Sequence, residues 1–351
     1  MRVLQLGPYP PPHGGVQSNL VAIHRYLQKQ GASSRVINIT RHRKPDGDGV
    51  YYPKGWFGLC RLLLRLRFDI VHLHIGGTVT PRLLALSFLC CAIPARRAVL
   101  TFHSGGYPSS KEGTLAHPRS LRGFVFRRFD RIIGVNPEIV RLFHQFGVTP
   151  EKVRLIQPHA LPSGLPARNM PEHLKRFFEA HEPVLLTVGG LEPEYDLPLQ
   201  IDALGLVRQR HPKAGLVIIG PGSIEGDLRS LITGKSYGPH ILLCGDVPHE
   251  DTLLAMSACD LFLRTSIYDG DSIAVREALH LGVPVIATDT AMRPAEVHLI
   301  GISNSGELVR AIEELLSRPR ERRGSPSASE ENIEAVVKLY RELMHDMGKS
   351  D

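Results

Sequence analysis

The chain of 351 residues has no apolar run of about 18 residues, so no membrane-spanning helix is expected. Its first residues, MRVLQLGPYPPP, enter a strand at once, and their apolar part is too short and too proline-broken for a signal peptide. Cysteine is sparse. Cys60, Cys90, Cys91, Cys244 and Cys259 have no metal-ligand spacing and read as buried free thiols in a reducing cytoplasm. Cys90 and Cys91 lie in an apolar segment, which favours packing over redox chemistry. The turn after the first strand lacks the G-x-G-x-x-G pattern, so a nicotinamide-type fingerprint is absent. Acidic residues are scarce in one half only. Residues 1–165 hold 7 Asp and Glu against 23 Lys and Arg, leaving 28 acidic and 19 basic residues for the rest. The overall +7 therefore splits into +16 and −9, and one half is expected to meet something anionic. Nucleic acid, a phospholipid surface and a lipid-diphosphate acceptor are all anionic enough. No recognisable nucleic-acid module accompanies the charge, so nucleic acid is not an expected partner.

The length and a hydrophobic content of 42% predict two domains with sizeable cores. Strands and helices alternate through both halves, the pattern of doubly wound α/β domains. Val3 to Leu6 reads as a first strand. Gly14 and Gly15 then open a helix from about Val16 to Gln30, where backbone can approach a ligand. Ser33 to Ile39 is a second strand. Residues 54–67, KGWFGLCRLLLRLR, form a basic amphipathic segment, with Arg61 and Arg65 on one face beside Trp56 and Phe57. This suits either a membrane interface or a helix packed on a sheet with solvated arginines. A strand over Ile70 to Leu73 runs into His74, and an apolar helix covers Pro81 to Ala92. The next strand ends at His103, before Ser104, Gly105 and Gly106. In an open α/β sheet that edge is where ligands bind. RSLRGFVFRRFDR (119–131) is a second basic, aromatic stretch. Residues 161–182 read as a linker, and a second alternation begins at 183. Residues 317–331 read as a loose polar loop, and 328–348 as a final amphipathic helix.

The most informative stretch is 260–290. Leu261, Phe262 and Leu263 form an apolar strand, the loop TSIYDGD (265–271) follows, then a helix over 272–281 and a strand over Val283 to Ala287. Gly270 allows the turn, Asp271 or Ser272 can cap the helix, and Gly282 and Pro284 end it. The helix N-terminus, from Gly270 through Ile273, is a natural phosphate site. Without further evidence this is also what any buried β-α-β unit with surface carboxylates would show.

This stretch resembles the donor site of the retaining, nucleotide-sugar-dependent glycosyltransferases of family 4, which have the GT-B fold. That family shows Glu, Gly, six residues, Glu, Ala, then Gly-x-Pro-Val. Here the frame reads Asp269, Gly270, then Glu277, Ala278, then Gly282 to Val285, with Asp for the first Glu. The resemblance extends over most of the chain. It implies two doubly wound Rossmann-like domains with a cleft between them and a C-terminal helix crossing back: an acceptor-side domain at 1–162, a nucleotide-sugar-binding domain at 183–317, and the crossing helix at 328–348. By this resemblance Asp269 and His103 contact the transferred sugar and are the catalytic candidates. Gly14, Gly15, Gly270, Asp271, Ser272, Ile273 and Glu277 are donor-binding, with Glu277 on the ribose hydroxyls. No metal or other cofactor is implied beyond the nucleotide-sugar substrate. The acceptor is expected to be a glycan or a lipid-linked molecule of bacterial surface polysaccharide or glycolipid synthesis. An anionic membrane surface is a further expected partner. The protein is expected in the cytoplasm, peripheral on the inner face of the cytoplasmic membrane.

There is a departure. The family's second domain begins Gly-Arg-Leu with a Lys soon after, and both cations meet the diphosphate. This chain has Gly189, Gly190 and Leu191, with Tyr195 or Asp196 near the Lys place. Arg264, Arg293 or both, each at a strand end, are the expected substitutes if the protein is an active enzyme. If instead both are solvated, the alternative is a degenerate GT-B protein that binds a nucleotide sugar or a partner enzyme. A GT-B epimerase or hydrolase acting on the nucleotide sugar is the third reading.

Overall fold

A computed structural model describes every residue except 41–43, 95, 159–164, 166–167, 270–271, 291–292, 319–329 and 349–351. The expected loose loop at 317–331 thus falls almost wholly outside the described residues. The first part of the chain runs β1 (Arg2–Gly7), α1 (Gly15–Lys29), β2 (Ser33–Asn38), β3 (Val50–Tyr51), α2 (Gly55–Arg65), β4 (Ile70–Ile75), α3 (Pro81–Ala92), β5 (Arg97–Phe102), α4 (Lys111–Thr114), α5 (Leu121–Phe126), β6 (Arg131–Gly134), α6 (Pro137–Gln145) and β7 (Val153–Leu155). The second part runs α7 (Glu172–Ala180), β8 (Val184–Val188), α8 (Leu197–Val207), β9 (Gly215–Ile219), α9 (Glu225–Thr233), β10 (Ile241–Gly245), α10 (His249–Ala258), β11 (Leu261–Arg264), α11 (Ile273–His280), β12 (Val285–Thr288), β13 (His298–Ile300) and α12 (Ser305–Ser317). A last helix, α13 (Glu331–Gly348), closes the chain.

Two compact units result. One holds residues 1–11, 15–160 and 330–351, and the other 12–14 and 161–329. The first contains a seven-stranded sheet ordered β3-β2-β1-β4-β5-β6-β7, and the second a six-stranded sheet ordered β10-β9-β8-β11-β12-β13. Every named pair in both is parallel. Parallel sheets need both faces covered, and the central strands are accordingly apolar on both sides. In the first unit, Leu4, Leu6, Val71, Leu73 and Leu100 pack under α2, α3, α5 and α6. Val3, Ile70, Val99 and Ile133 pack against α1 and α13 on the opposite face. In the second unit, Leu185, Leu216, Leu261 and Leu263 meet α8 and α12, while Leu186, Val217 and Phe262 meet α10 and α11. Strand order reverses between β1 and β4 in one sheet and between β8 and β11 in the other. The carboxyl ends at such reversals leave a crevice, which is the usual ligand site of this architecture.

The stretch expected as a linker contains α7. Leu174 is fully buried there, with Phe177 and Phe178 packed on the same cluster, so an i, i+3, i+4 apolar face overrides the polar composition around it. The amphipathic segment at 54–67 does form α2. It buries Leu59 and Leu63 but leaves Phe57 91% and Leu64 84% exposed.

Candidate functional site

The second unit's site grows from the reversal between β8 and β11. All four residues of β11 are buried, including Arg264 at its carboxyl end. A guanidinium without water must find acceptors. Its Nε donates to Asp269 Oδ2 at 2.8 Å and its Nη1 to the Val188 carbonyl at 3.0 Å, with the group's central carbon 4.4 Å from the centre of the Tyr195 ring. Gly189 makes this possible: a Cβ there would lie 2.6 Å from Arg264 Nη1 and 2.7 Å from the Tyr195 ring. The Gly189, Gly190, Leu191 turn, which has no arginine of its own, thus leaves room for one arriving from a different strand.

Arg293 joins the same cluster. Its Nη1 donates to Asp269 Oδ2 at 2.8 Å, its Nη2 to Ser266 Oγ at 2.8 Å, and its Nε to the Thr288 carbonyl at 3.0 Å. The side chains of Arg264 and Arg293 are only 7% and 2% exposed, so neither is a solvated surface arginine. Two guanidinium groups on one carboxylate leave a net charge of +1. Burial alone would raise the Asp269 pKa, but Arg264 and Arg293 outweigh it and hold the carboxylate below its ordinary range. Burial likewise opposes the Arg264 charge, and Asp269 and Tyr195 overcome it. The loop carrying Asp269 is stitched down: Ile267 N–H donates to the Glu194 carbonyl at 2.8 Å, and Thr265 Oγ1 to the Tyr195 carbonyl at 2.9 Å. Asp269 Oδ1 makes no hydrogen bond among the described residues.

Three residues after Asp269, Ser272 caps α11, its hydroxyl accepting from Val275 N–H at 3.4 Å. Ile273 is the first helical residue. Gly270 and Asp271 lie outside the described residues. Glu277 is buried on α11 and its Oε1 stands 2.7 Å from His249 Nε2, at the start of α10. His249 was not expected. Its signal was available: it follows the end of a strand and opens a helix, as Gly15 does. The result is a rigid cationic centre within a few residues of a helix N-terminus, with a buried carboxylate further along that helix. Such an arrangement suits an anionic ligand that also carries hydroxyls.

In the first unit, Gly15 is the first residue of α1; Gly14, in the loop before it, is grouped with the second unit. His103 follows β5, its backbone N–H donating to the Ile75 carbonyl at 2.8 Å. Its Nε2 lies 3.4 Å from His74 Nδ1, and His74 Nε2 lies 2.8 Å from Gln5 Oε1. His72 sits two residues before His74 on the same face of β4, the ring centroids 4.1 Å apart. It bonds Tyr340 Oη of α13 at 2.5 Å and Thr101 Oγ1 at 2.7 Å. Burial pushes both His72 and His103 down to about 3, with His103 also lowering His72. Burial, then His72 and His103, hold His74 well below its ordinary value. All three rings are therefore neutral at pH 7. Of these, only His103 and, more weakly, His74 stood out in the sequence. The alternation His72, Leu73, His74 could have flagged the shared face. The Tyr340 partner is 268 positions away and could not.

Two family models divide the chain. One described as Glycosyl transferase 4-like domain matches residues 2–159, and one described as Glycosyl transferases group 1 matches residues 171–332. Among curated proteins, the uncharacterized glycosyltransferase MJ1059 of Methanocaldococcus jannaschii is 30% identical over 32% of this chain and 28% of its own length. The UDP-Gal:alpha-D-GlcNAc-diphosphoundecaprenol alpha-1,3-galactosyltransferase of Escherichia coli is 24% identical over 67% of this chain and 62% of its own. The chain spans less than half the length of the first three curated relatives it matches. Among solved structures, Anabaena Alr3699/HepE in complex with UDP-glucose superposes with a TM-score of 0.68, at 18% identity, over 90% of each chain. That likeness, with the two parallel sheets, identifies the fold as GT-B.

Proposed function

The chain belongs to the glycosyltransferases that join a family-4-like first domain to a group 1 second domain, and from that membership we propose that it moves a sugar from a nucleotide-sugar donor to a glycan or lipid-linked acceptor, with retained anomeric configuration, in bacterial surface polysaccharide or glycolipid synthesis. The observation that carries the reading is the Arg264–Asp269–Arg293 cluster beside the start of α11. Breaking the bond between the anomeric carbon and the diphosphate leaves negative charge on the diphosphate. A fixed, water-poor cationic centre lowers the barrier to that step because it needs no reorganisation as the charge develops. As the new bond to the acceptor oxygen forms, the acceptor hydroxyl gives up its proton to the departing diphosphate oxygen.

In this reading Arg264 and the backbone N–H groups at the start of α11 bind the diphosphate. Asp269, held by both arginines, offers Oδ1 to a sugar hydroxyl. Glu277 accepts from the ribose hydroxyls, with His249 fixing its orientation. His103 contacts the transferred sugar. The arginines, rather than a metal ion, balance the leaving group, so turnover should survive chelation of divalent cations. The alternative of a degenerate binding protein was tied to solvated arginines, which these are not. The E. coli relative's name specifies a diphosphoundecaprenol-linked acceptor. An acceptor of that class would bring the first unit to an anionic lipid surface, and the exposed Phe57, Arg61 and Leu64 of α2 suit that contact. That contact is the basis for the proposed location, peripheral on the inner face of the cytoplasmic membrane; among the described residues no helix is long and apolar enough to cross a membrane.

The test is turnover of a panel of nucleotide sugars with and without lipid-diphosphate acceptors. Sugar transfer with release of nucleoside diphosphate is expected, and Arg264→Ala should lower kcat on the order of 100-fold, as when one stabilising donor is removed. An Arg264→Ala protein that is folded and fully active would sink the assignment.

A further inference from the structure

The polar chain inside the first unit has a direction. Gln5 is fully buried on β1, and its Oε1 faces His74 Nε2 at 2.8 Å. A carbonyl oxygen has no hydrogen to give, so the hydrogen in that bond belongs to His74 Nε2. A neutral imidazole carries one N–H only, which leaves His74 Nδ1 as a bare lone pair. The next contact joins His74 Nδ1 to His103 Nε2 at 3.4 Å, and its hydrogen must then come from His103. His103 Nδ1 is the nitrogen left bare, and it has no hydrogen-bond partner among the described residues. The chain is held in place from both sides. The His72 ring lies against His74, centroids 4.1 Å apart, and is itself fixed by Tyr340 and Thr101. Gly7 lets the end of β1 approach, since a Cβ there would lie 3.0 Å from His74 Cβ. Both rings stay neutral, because burial lowers His74 well below its ordinary range and His103 to about 3.

We propose that Gln5 and His74 are positioning residues that present His103 as a hydrogen-bond acceptor at Nδ1, so that the transferred sugar must offer a free hydroxyl there. The proposal rests on the transferase reading above and adds a selection rule to it. A donor whose hydroxyl at that point is deoxygenated or methylated loses its partner and leaves a desolvated nitrogen unpaired, so it is selected against. Turning the Gln5 amide over would reverse every hydrogen in the chain and make Nδ1 a donor, so the two states have opposite signatures.

Histidine-selective 15N spectra of the full chain at pH 7.5, assigned with His103→Gln, distinguish them. The expected result is a pyridine-like Nδ1 and a pyrrole-like Nε2 on His103, and a pyrrole-like Nδ1 overturns the proposal. Gln5→Met removes the acceptor and should give mixed tautomers. In kinetics, Gln5→Met should lower kcat/KM for the nucleotide sugar roughly 10-fold, the weight of one hydrogen bond, while affinity for free nucleoside diphosphate changes less than about twofold. An equal loss for both ligands overturns the positioning role. A nucleotide sugar that binds wild type without moving the His103 Nδ1 signal overturns the acceptor role. Failure of every nucleotide sugar to bind would instead sink the transferase reading.

Discussion

Mild acid should destabilise the first unit through its buried histidines. His72 is fully buried, and burial lowers its pKa from an ordinary 6.5 to about 3. The unfolded chain therefore takes up a proton below pH 6.5 that the folded chain refuses until near pH 3. Where the unfolded state binds more protons, stability falls as pH falls. The contribution is intact above pH 6.5 and is lost across the window from 6.5 down to about 3. Each pH unit inside the window is worth about 1.4 kcal/mol per proton, so His72 alone removes about 2 kcal/mol between pH 6.5 and pH 5. His74 and His103 act in the same direction. The groups facing His72 are Tyr340, Thr101 and the other two rings, and no carboxylate is among them to offset the loss. Asp269 is held below its ordinary range and so stays ionised at pH 5. Urea unfolding at pH 7.5 and pH 5.0 is the assay. It can be followed by Trp56, the chain's one tryptophan, which lies on α2 of this unit. A loss of at least about 2 kcal/mol is expected at pH 5, against a total stability of about 5–15 kcal/mol for a typical domain. His72→Gln should flatten the pH dependence by about one proton. Equal unfolding free energies at the two pH values would show that these rings are not held neutral in the folded state.

Three other outcomes follow from the site. Asp269→Ala strips the counter-charge from two buried guanidinium groups and should destabilise the second unit by about 3–5 kcal/mol, which thermal unfolding will show. Glu277→Ala should weaken both nucleotide sugar and free nucleoside diphosphate by about 1.5–3 kcal/mol in calorimetry, and loss confined to the nucleotide sugar would move Glu277 off the ribose. Vesicles with anionic lipid should co-sediment the protein in a salt-sensitive way, less so when Arg61, Arg65 and Arg67 become Glu. Equal binding to neutral vesicles would remove the electrostatic account.

Much of this architecture is legible in the residues. The alternation of short apolar runs with helical periodicity foretells two parallel sheets, because both faces of each strand must be covered. The frame from Asp269 to Val285 points to a ligand edge, and Arg264 and Arg293 to its charge. What the order of residues cannot show is mutual engagement. Arg264 and Asp269 are five positions apart, yet their pairing depends on room that Gly189 provides from another strand. His249 meets Glu277 only because α10 and α11 lie side by side. The α7 helix was hidden by its polar surroundings, since three apolar residues at helical spacing are a weak signal without a core to receive them. His72 looked like one of 17 histidines until Tyr340 was brought to it.

That last pairing bears on how the protein is made. The face formed by Val3, Ile70, Val99 and Ile133 is covered in part by Ile333, Val336, Tyr340 and Leu343 of α13. His72 leaves the ribosome 268 residues ahead of Tyr340. At about 5–20 residues per second, that interval is roughly 13–54 s. During it the first unit has its sheet without the part of its cover that α13 supplies, and His72 lacks its Tyr340 partner. Domain-by-domain folding in order of synthesis is therefore interrupted here. The first unit reaches its final state only after the second has been made. Nascent chains stalled before residue 331 should present this apolar face to chaperones, whereas chains released beyond Leu343 should not.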